Sequence, residues 1–174
     1  GGDPALRLAC ARIMRHHAST RERLPILDRF YASTLRSIAP VRSVLDLACG
    51  LNPLAIPWMP LAPEAPYHAC DMYLGLASFL RGFLRLVHRS GEVWTCDLVV
   101  HSLPTREVEL ALLLKVLPSL ERLDGAASAR LMEGIRASHL LVSFPVRSLG
   151  GRSKGMEFTH AARFRELVRG RGWA

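Results

Sequence analysis

Lysine is almost missing from this chain: of its 23 basic residues only Lys115 and Lys154 are lysines, and the others are arginines. Set against 15 acidic residues, they leave a formal charge of +8. Such an excess favours a phosphate-rich partner without naming one. Its placement says more, because arginines concentrate between Arg7 and Arg29 and again between Arg147 and Arg171, while the middle is closer to neutral. Also lacking is any uncharged apolar run of the roughly 18 residues that a membrane-crossing helix needs, and the N-terminus does not have the order of a secretion signal. A soluble, cytoplasmic protein is therefore the expectation. Cys10, Cys49, Cys70 and Cys96 lie far apart with no C-x-x-C pair, which argues against a zinc site or a disulfide framework. They read as small buried hydrophobes, and no metal is expected. The three-glycine G-x-G-x-x-G fingerprint is absent, so no loop is shaped to receive a pyrophosphate, and a nicotinamide oxidoreductase is the weakest enzyme reading. No internal repeat or low-complexity segment stands out.

What is present suits one domain of 174 residues with a hydrophobic core. "RSVLDLAC" (42–49) reads as a short strand ending in a tight turn, and "PYHACD" (66–71) as a second. "LGLASFLRGFLRLVHR" (74–89) recurs apolar every three to four residues, as a helix lying on a sheet does. "EVWTCDLV" (92–99) is a third strand, and "VELALLL" (108–114) is the near-continuous apolar run of a buried parallel strand. A helix over 119–136, a fifth strand "SHLLVSFP" (138–145), a basic glycine-rich loop and a helix over 159–170 follow. Before the first strand lies a helical region, 1–40, with "AST" as a break and cap between two helices. Strands alternating with helices imply a doubly wound, mostly parallel sheet over 41–174, covered on both faces. The chain ends where a sixth strand would begin and starts without an initiator methionine, so truncated C-terminal strands and the remnant of a longer N-terminal extension are expected.

Ligands of such sheets sit beyond the carboxyl ends of the strands. Asp46, Asp71 and Asp97 each close, or nearly close, an expected strand. Gly50 lets the backbone approach a ligand or take positive φ, and Asn52-Pro53 is expected to cap and start a helix, leaving free amides nearby. A carboxylate at Asp71 is placed to accept both hydroxyls of a ribose. Asp97, one strand over, can accept from an adenine amino group while Leu98 packs on the ring. Together these favour an adenosine-containing ligand without phosphates, and S-adenosylmethionine is the obvious candidate.

"HASTRERL" (17–24), "DLACGLNPLA" (46–55), "LLLKVLPSLER" (112–122) and "VSFPVRSLGGRSKGME" (142–157) carry a closer likeness. The sequence resembles the aminoglycoside-resistance methyltransferases that modify N7 of a guanine in the decoding site of 16S rRNA, over nearly the whole chain. That resemblance implies a Rossmann-like S-adenosylmethionine-dependent methyltransferase fold. It places Asp46, Ala48, Cys49, Gly50 and Met72 on the cofactor, Asp71 at the ribose, and Asp97 with Leu98 at the adenine. It sets an arginine of "STRERL" on the methionine carboxylate, Arg23 as first choice and Arg21 as second; a guanidinium offers a carboxylate two parallel donors. S-adenosylhomocysteine would be the product.

Guanine N7 has an exposed lone pair and no proton, so the transfer needs alignment and exclusion of water rather than a general base. In keeping with that, no His-Asp or Cys-His pair stands out, and Cys49 is not a candidate nucleophile. A base within folded RNA has to be drawn out before chemistry. Arg147, Arg152 and Lys154 offer phosphate contacts in an adaptable loop, Met156 can pack on the flipped guanine, and Lys115 can reach a phosphate or the guanine edge. Arg7, Arg12 and Arg15 would widen the RNA footprint; His16 and His17 face RNA or cap a helix. The partner implied is 16S rRNA in the assembled 30S subunit, with no DNA and no membrane, and the protein a monomer. Two other readings stay open: an RNA-binding fragment without catalysis, and a methyltransferase for another substrate.

Overall fold

The computed structural model describes residues 3–145 and 156–170, leaving aside the side chains of 156–160. The chain opens with helices α1 (Pro4–Met14), α2 (Ala18–Arg21) and α3 (Leu27–Thr34), the last two separated by a 3-10 turn at Leu24–Ile26. Five strands follow, β1 (Val44–Leu47), β2 (Tyr67–Asp71), β3 (Val93–Thr95), β4 (Glu107–Leu114) and β5 (Arg136–Ser143). Helix α4 (Leu74–Leu86) joins β2 to β3, α5 (Leu117–Leu123) and α6 (Ala127–Gly134) join β4 to β5, and α7 (Met156–Val168) comes last. The sheet is parallel throughout, in the order β3-β2-β1-β4-β5. Strand order therefore reverses between β1 and β4, the kind of switch point beyond whose carboxyl ends such sheets bind ligands. This is the Rossmann-like, doubly wound arrangement that the strand pattern implied.

Both faces of the sheet are apolar, which is why 108–114 of β4 reads as a near-continuous hydrophobic run. Side chains alternate along a strand. Val44 packs with Met14, Tyr31 and Leu80 in the layer of α1, α3 and α4, whereas Leu45 and Leu47 pack with Leu117, Leu131 and Leu167 in the layer of α5, α6 and α7. By the same alternation Asp46 points toward the first layer, and that orientation decides what it meets. Fully buried side chains of this kind, Met14 and Leu112 among them, each contribute about 1.5–3 kcal/mol of transfer free energy.

Several boundaries differ from the sequence expectation for local reasons. The third strand stops at Thr95, so Asp97 lies in the turn beyond it. The helix expected over 119–136 divides in two, because Asp124 Oδ1 accepts the Ala126 N–H at 2.9 Å and folds the chain before Ala127. Asn52-Pro53 starts a 3-10 segment, Asn52–Trp58, with Pro57 inside it, and the Asn52 side chain caps nothing. Arg7, expected on the RNA face, instead clamps α1 to that segment: its Nε and Nη2 donate to the Pro57 carbonyl at 3.1 and 2.8 Å, and its guanidinium lies 5.4 Å from the Trp58 ring centroid. Trp58 also donates its indole N–H to Asp28 at 3.0 Å.

Candidate functional site at the carboxyl ends of the strands

The turn leaving β1 is built around two residues of positive φ, Ala48 at 50° and Gly50 at 51°. At Gly50 a side chain would be both strained and obstructed, since a Cβ there would stand 2.8 Å from Cε1 of His17. The turn is tied to β2 in two places: Cys49 N–H donates to the Cys70 carbonyl and Gly50 N–H to Asp71 Oδ2, each at 2.9 Å. Asp71 also accepts the Tyr73 N–H on Oδ1 at 3.3 Å and is 8% exposed. An ionised carboxylate has about four acceptor positions, so Asp71 keeps capacity for a ligand's hydroxyls on both oxygens.

Beneath this turn lies a buried polar cluster. Asp46 Oδ2 accepts from the Tyr67 hydroxyl at 2.6 Å and from Asn52 Nδ2 at 2.8 Å. Asn52 Oδ1 in turn accepts from Arg23 Nη1 at 2.6 Å and from the Tyr31 hydroxyl at 2.5 Å. All five residues are buried, Arg23 the least at 6% exposed. Asp46 Oδ1, in contrast, is buried with no hydrogen-bond partner among the described residues. Burial pushes the Asp46 carboxyl up to about 7, against the pull of the Tyr67 and Asn52 hydrogen bonds and the Arg23 charge. An orphaned oxygen on such a carboxyl is a site where a cationic donor would be welcomed. Burial also raises the thiols, Cys70 to about 12 and Cys49 well above its usual range, so both stay protonated and neither is an activated nucleophile.

The structure thus gathers Arg23, Asp46, Ala48, Cys49, Gly50 and Asp71 at the ends of β1 and β2. It separates the two candidate arginines: Arg23 enters the buried cluster, while Arg21 is exposed and lines a groove of about 590 Å³ with Arg15, Leu24 and Trp58. Met72 follows Asp71 at the surface and is 60% exposed. Cys96 N–H donates to the Asp71 carbonyl at 2.9 Å, which keeps Asp97 one strand along from Asp71. One Asp97 oxygen is engaged locally by the Val99 N–H at 2.9 Å. Leu98 is buried against the α5–α6 layer and lines a cavity of about 280 Å³ with His101, Arg130 and Leu131. His101 Nδ1 accepts the Asp97 N–H at 3.1 Å.

Lys115 follows β4 in the left-handed region at φ 66°, with its N–H on the Ser143 carbonyl at 2.9 Å. Its ammonium is paired with Glu22, whose carboxyl is held below its ordinary range by that lysine. A single segment, residues 17–23, therefore touches both strand ends: His17 lies on Gly50, Glu22 on Lys115 and Arg23 on Asn52. Arg147, Arg152 and Lys154 lie outside the described residues; Met156 begins α7. Among the described residues no group of three or more His, Cys, Asp or Glu is arranged to hold a metal. Among those residues, too, no helix is long and apolar enough to cross a membrane. Asn52, Tyr31, Tyr67 and Glu22 went unread as site residues; only the Tyr67 position carried a usable signal, since a residue in register with Val44 shares its face.

The family profile described as "Ribosomal RNA methyltransferase (FmrO)" matches residues 1–174. The 16S rRNA (guanine(1405)-N(7))-methyltransferase of Frankia casuarinae is 44% identical over 174 residues, covering 99% of this chain and 61% of the relative. Its counterpart in Micromonospora echinospora is 38% identical, covering 98% and 62%. Among solved structures, the 16S rRNA methyltransferase RmtF in complex with S-adenosyl-L-homocysteine superposes with a TM-score of 0.77 at 37% identity, covering 91% of this chain and 60% of that one. The 16S rRNA methylase RmtB gives 0.74 at 31% identity, covering 97% and 67%. The chain thus spans 61–62% of the length of the two curated relatives.

Proposed function

The chain belongs to the FmrO family of ribosomal RNA methyltransferases, and from that premise we propose that it transfers the methyl group of S-adenosylmethionine to N7 of a guanine in the decoding site of 16S rRNA, conferring aminoglycoside resistance. The carrying observation is the strand-end arrangement: Asp71 bound to the Gly50 amide above, and the Arg23–Asn52–Asp46 cluster below with one carboxylate oxygen unpartnered. That donor set suits an adenosine joined to an amino acid. Asp71 keeps acceptor capacity for ribose hydroxyls, Gly50 takes the positive φ that turns the chain after β1, and Arg23 and Asp46 offer opposite charges to a zwitterionic end.

Bound there, S-adenosylmethionine supplies an electrophilic methyl on a sulfonium. The chain's own part is alignment. Guanine N7 would attack with its lone pair, the carbon–sulfur bonding pair would stay on sulfur, and the positive charge would pass to the guanine ring. No proton moves, so no general base is required, and the protonated Cys49 and Cys70 thiols fit that requirement. Walls formed by residues 17–23 and the β1 turn exclude water from a reacting pair that holds one dispersed charge. On this reading Lys115, Arg147, Arg152 and Lys154 meet RNA, Met156 packs on the guanine, and exposed Arg12 and Arg15 extend the footprint. The partner is the assembled 30S subunit, met by a monomer in the cytoplasm.

The test is incubation of the chain with 30S subunits and methyl-labelled S-adenosylmethionine, followed by mapping of labelled and chemically cleavable guanines. Label at N7 of one decoding-site guanine is the expected result. A folded chain that binds 30S but neither the donor nor its product would favour RNA binding without catalysis, and label elsewhere would assign another substrate.

A further inference from the structure

Asn52 sits where one amide faces a cation on its oxygen side and an anion on its nitrogen side. Its orientation is unambiguous, since a flipped amide would set NH2 against the Arg23 guanidinium and C=O against the Asp46 carboxylate. It is 2% exposed, and it joins three parts of the chain: the Leu24-side helical layer through Arg23 and Tyr31, β1 through Asp46, and β2 through the Tyr67 hydroxyl that shares Asp46 Oδ2. We propose that Asn52 is a positioning residue that sets the spacing between the Arg23 guanidinium and the free oxygen of Asp46, and so fits the pair to the amino-acid end of the methyl donor. The proposal rests on the methyltransferase reading and names the device by which that site selects its ligand.

Three observations carry it. Arg23 uses only Nη1 toward Asn52 and Tyr31; its Nε and Nη2 have no hydrogen-bond partner among the described residues and remain a two-pronged donor for a carboxylate. Asp46 Oδ2 is saturated by Tyr67 and Asn52, which leaves Oδ1 as the one acceptor turned to other use, suited to an ammonium. Between them Asn52 offers both of its polar ends, so neither charged group can shift without breaking an amide hydrogen bond in a buried place. A direct Arg23–Asp46 salt bridge would satisfy the two charges and close the site; the interposed amide holds them apart. A capping asparagine would need only one of these contacts, made to a backbone N–H, and no such cap is formed.

The inference separates from a merely structural role by the ligand chosen. Binding to the 174-residue chain is measured by calorimetry for S-adenosylhomocysteine and for 5′-methylthioadenosine, which lacks the amino-acid end, with near-ultraviolet circular dichroism as the check on folding. For Asn52→Ala the expected result is at least tenfold weaker S-adenosylhomocysteine binding with less than twofold change for 5′-methylthioadenosine. Tyr31→Phe removes one hydroxyl from the same cluster while keeping its packing, and is expected to weaken S-adenosylhomocysteine selectively by about threefold. If Asn52→Ala fails to fold, Tyr31→Phe carries the test. Equal loss for both ligands, or no loss, in a folded variant overturns the role of Asn52. Wild-type chain that binds neither ligand would instead overturn the methyltransferase reading on which the role depends.

Discussion

The carboxyl ends of β1 and β4 lie side by side in the sheet, yet they are built in opposite ways. At β1 the polar groups are buried and interlocked: Asp46, Asn52, Arg23, Tyr31 and Tyr67 share hydrogen bonds. At β4, Lys115 is about a quarter exposed, and its partner Glu22 is 63% exposed. Buried hydrogen-bonded networks resist rearrangement because each broken contact strands a desolvated group. Exposed ion pairs exchange partners readily, because water and salt substitute for either member. The β1 end is therefore suited to a small ligand of constant shape, and the β4 end to a large polyanion whose phosphates compete for the lysine.

Breaking the β1 side should have the largest effect. Asp46→Leu leaves the Tyr67 hydroxyl, the Asn52 amide and the Arg23 charge without their anion, and about 3 kcal/mol of stability should be lost in urea unfolding. The milder Asp46→Asn tests ionisation. With a folded-state value of about 7 against 3.8, the carboxyl binds its proton more tightly in the folded chain, so its contribution is fully present below about pH 4 and is lost as pH rises through 7. Stability of the wild type should accordingly fall across that window relative to Asp46→Asn; parallel pH profiles would show that Asp46 titrates normally.

Next comes Asp71→Asn, which weakens an acceptor for the ribose and is expected to reduce S-adenosylhomocysteine affinity at least tenfold, about 1.4 kcal/mol, by calorimetry. Gly50→Ala should cost about 1–3 kcal/mol because of its φ of 51° and its 2.8 Å approach to the His17 ring. Gly82 of α4 has open space around it, and the same substitution there should stabilise by about 0.5–1 kcal/mol in thermal unfolding. The smallest effect on stability belongs to the β4 side. Glu22→Gln should alter it by less than about 1 kcal/mol and leave cofactor affinity unchanged, while raising 30S affinity, since Lys115 loses its competitor. Arg152→Ala with Lys154→Ala should lower 30S binding, most visibly as a shallower salt dependence, and not touch cofactor affinity. An equal response of both ligands to Glu22→Gln would erase the contrast between the two strand ends.

The contrast also marks how far residue order could be read. Asp46, Gly50 and Asp71 were legible because each sits at the end of an apolar run, where a charge or a glycine has a reason to be. Lys115 was legible by the same logic. Asn52 was misread as a helix cap because asparagine before proline fits that role locally, and nothing local says that the segment would be 3-10 with its side chain turned inward. Arg7 looked like every other arginine in its region until the Pro57 carbonyl and the Trp58 ring claimed it. Glu22 and Lys115 are far apart in the chain, and no periodicity relates them.

Sequence by itself determined the parallel sheet and the carboxylates at its strand ends, because strand period, apolar runs and turn chemistry are local properties of the chain. Only the tertiary structure decided which of Arg21 and Arg23 enters the site and that Asn52 stands between a cation and an anion. The physical reason is that the value of a buried charge depends on what surrounds it in three dimensions, and those surroundings come from segments that the chain brings together only on folding.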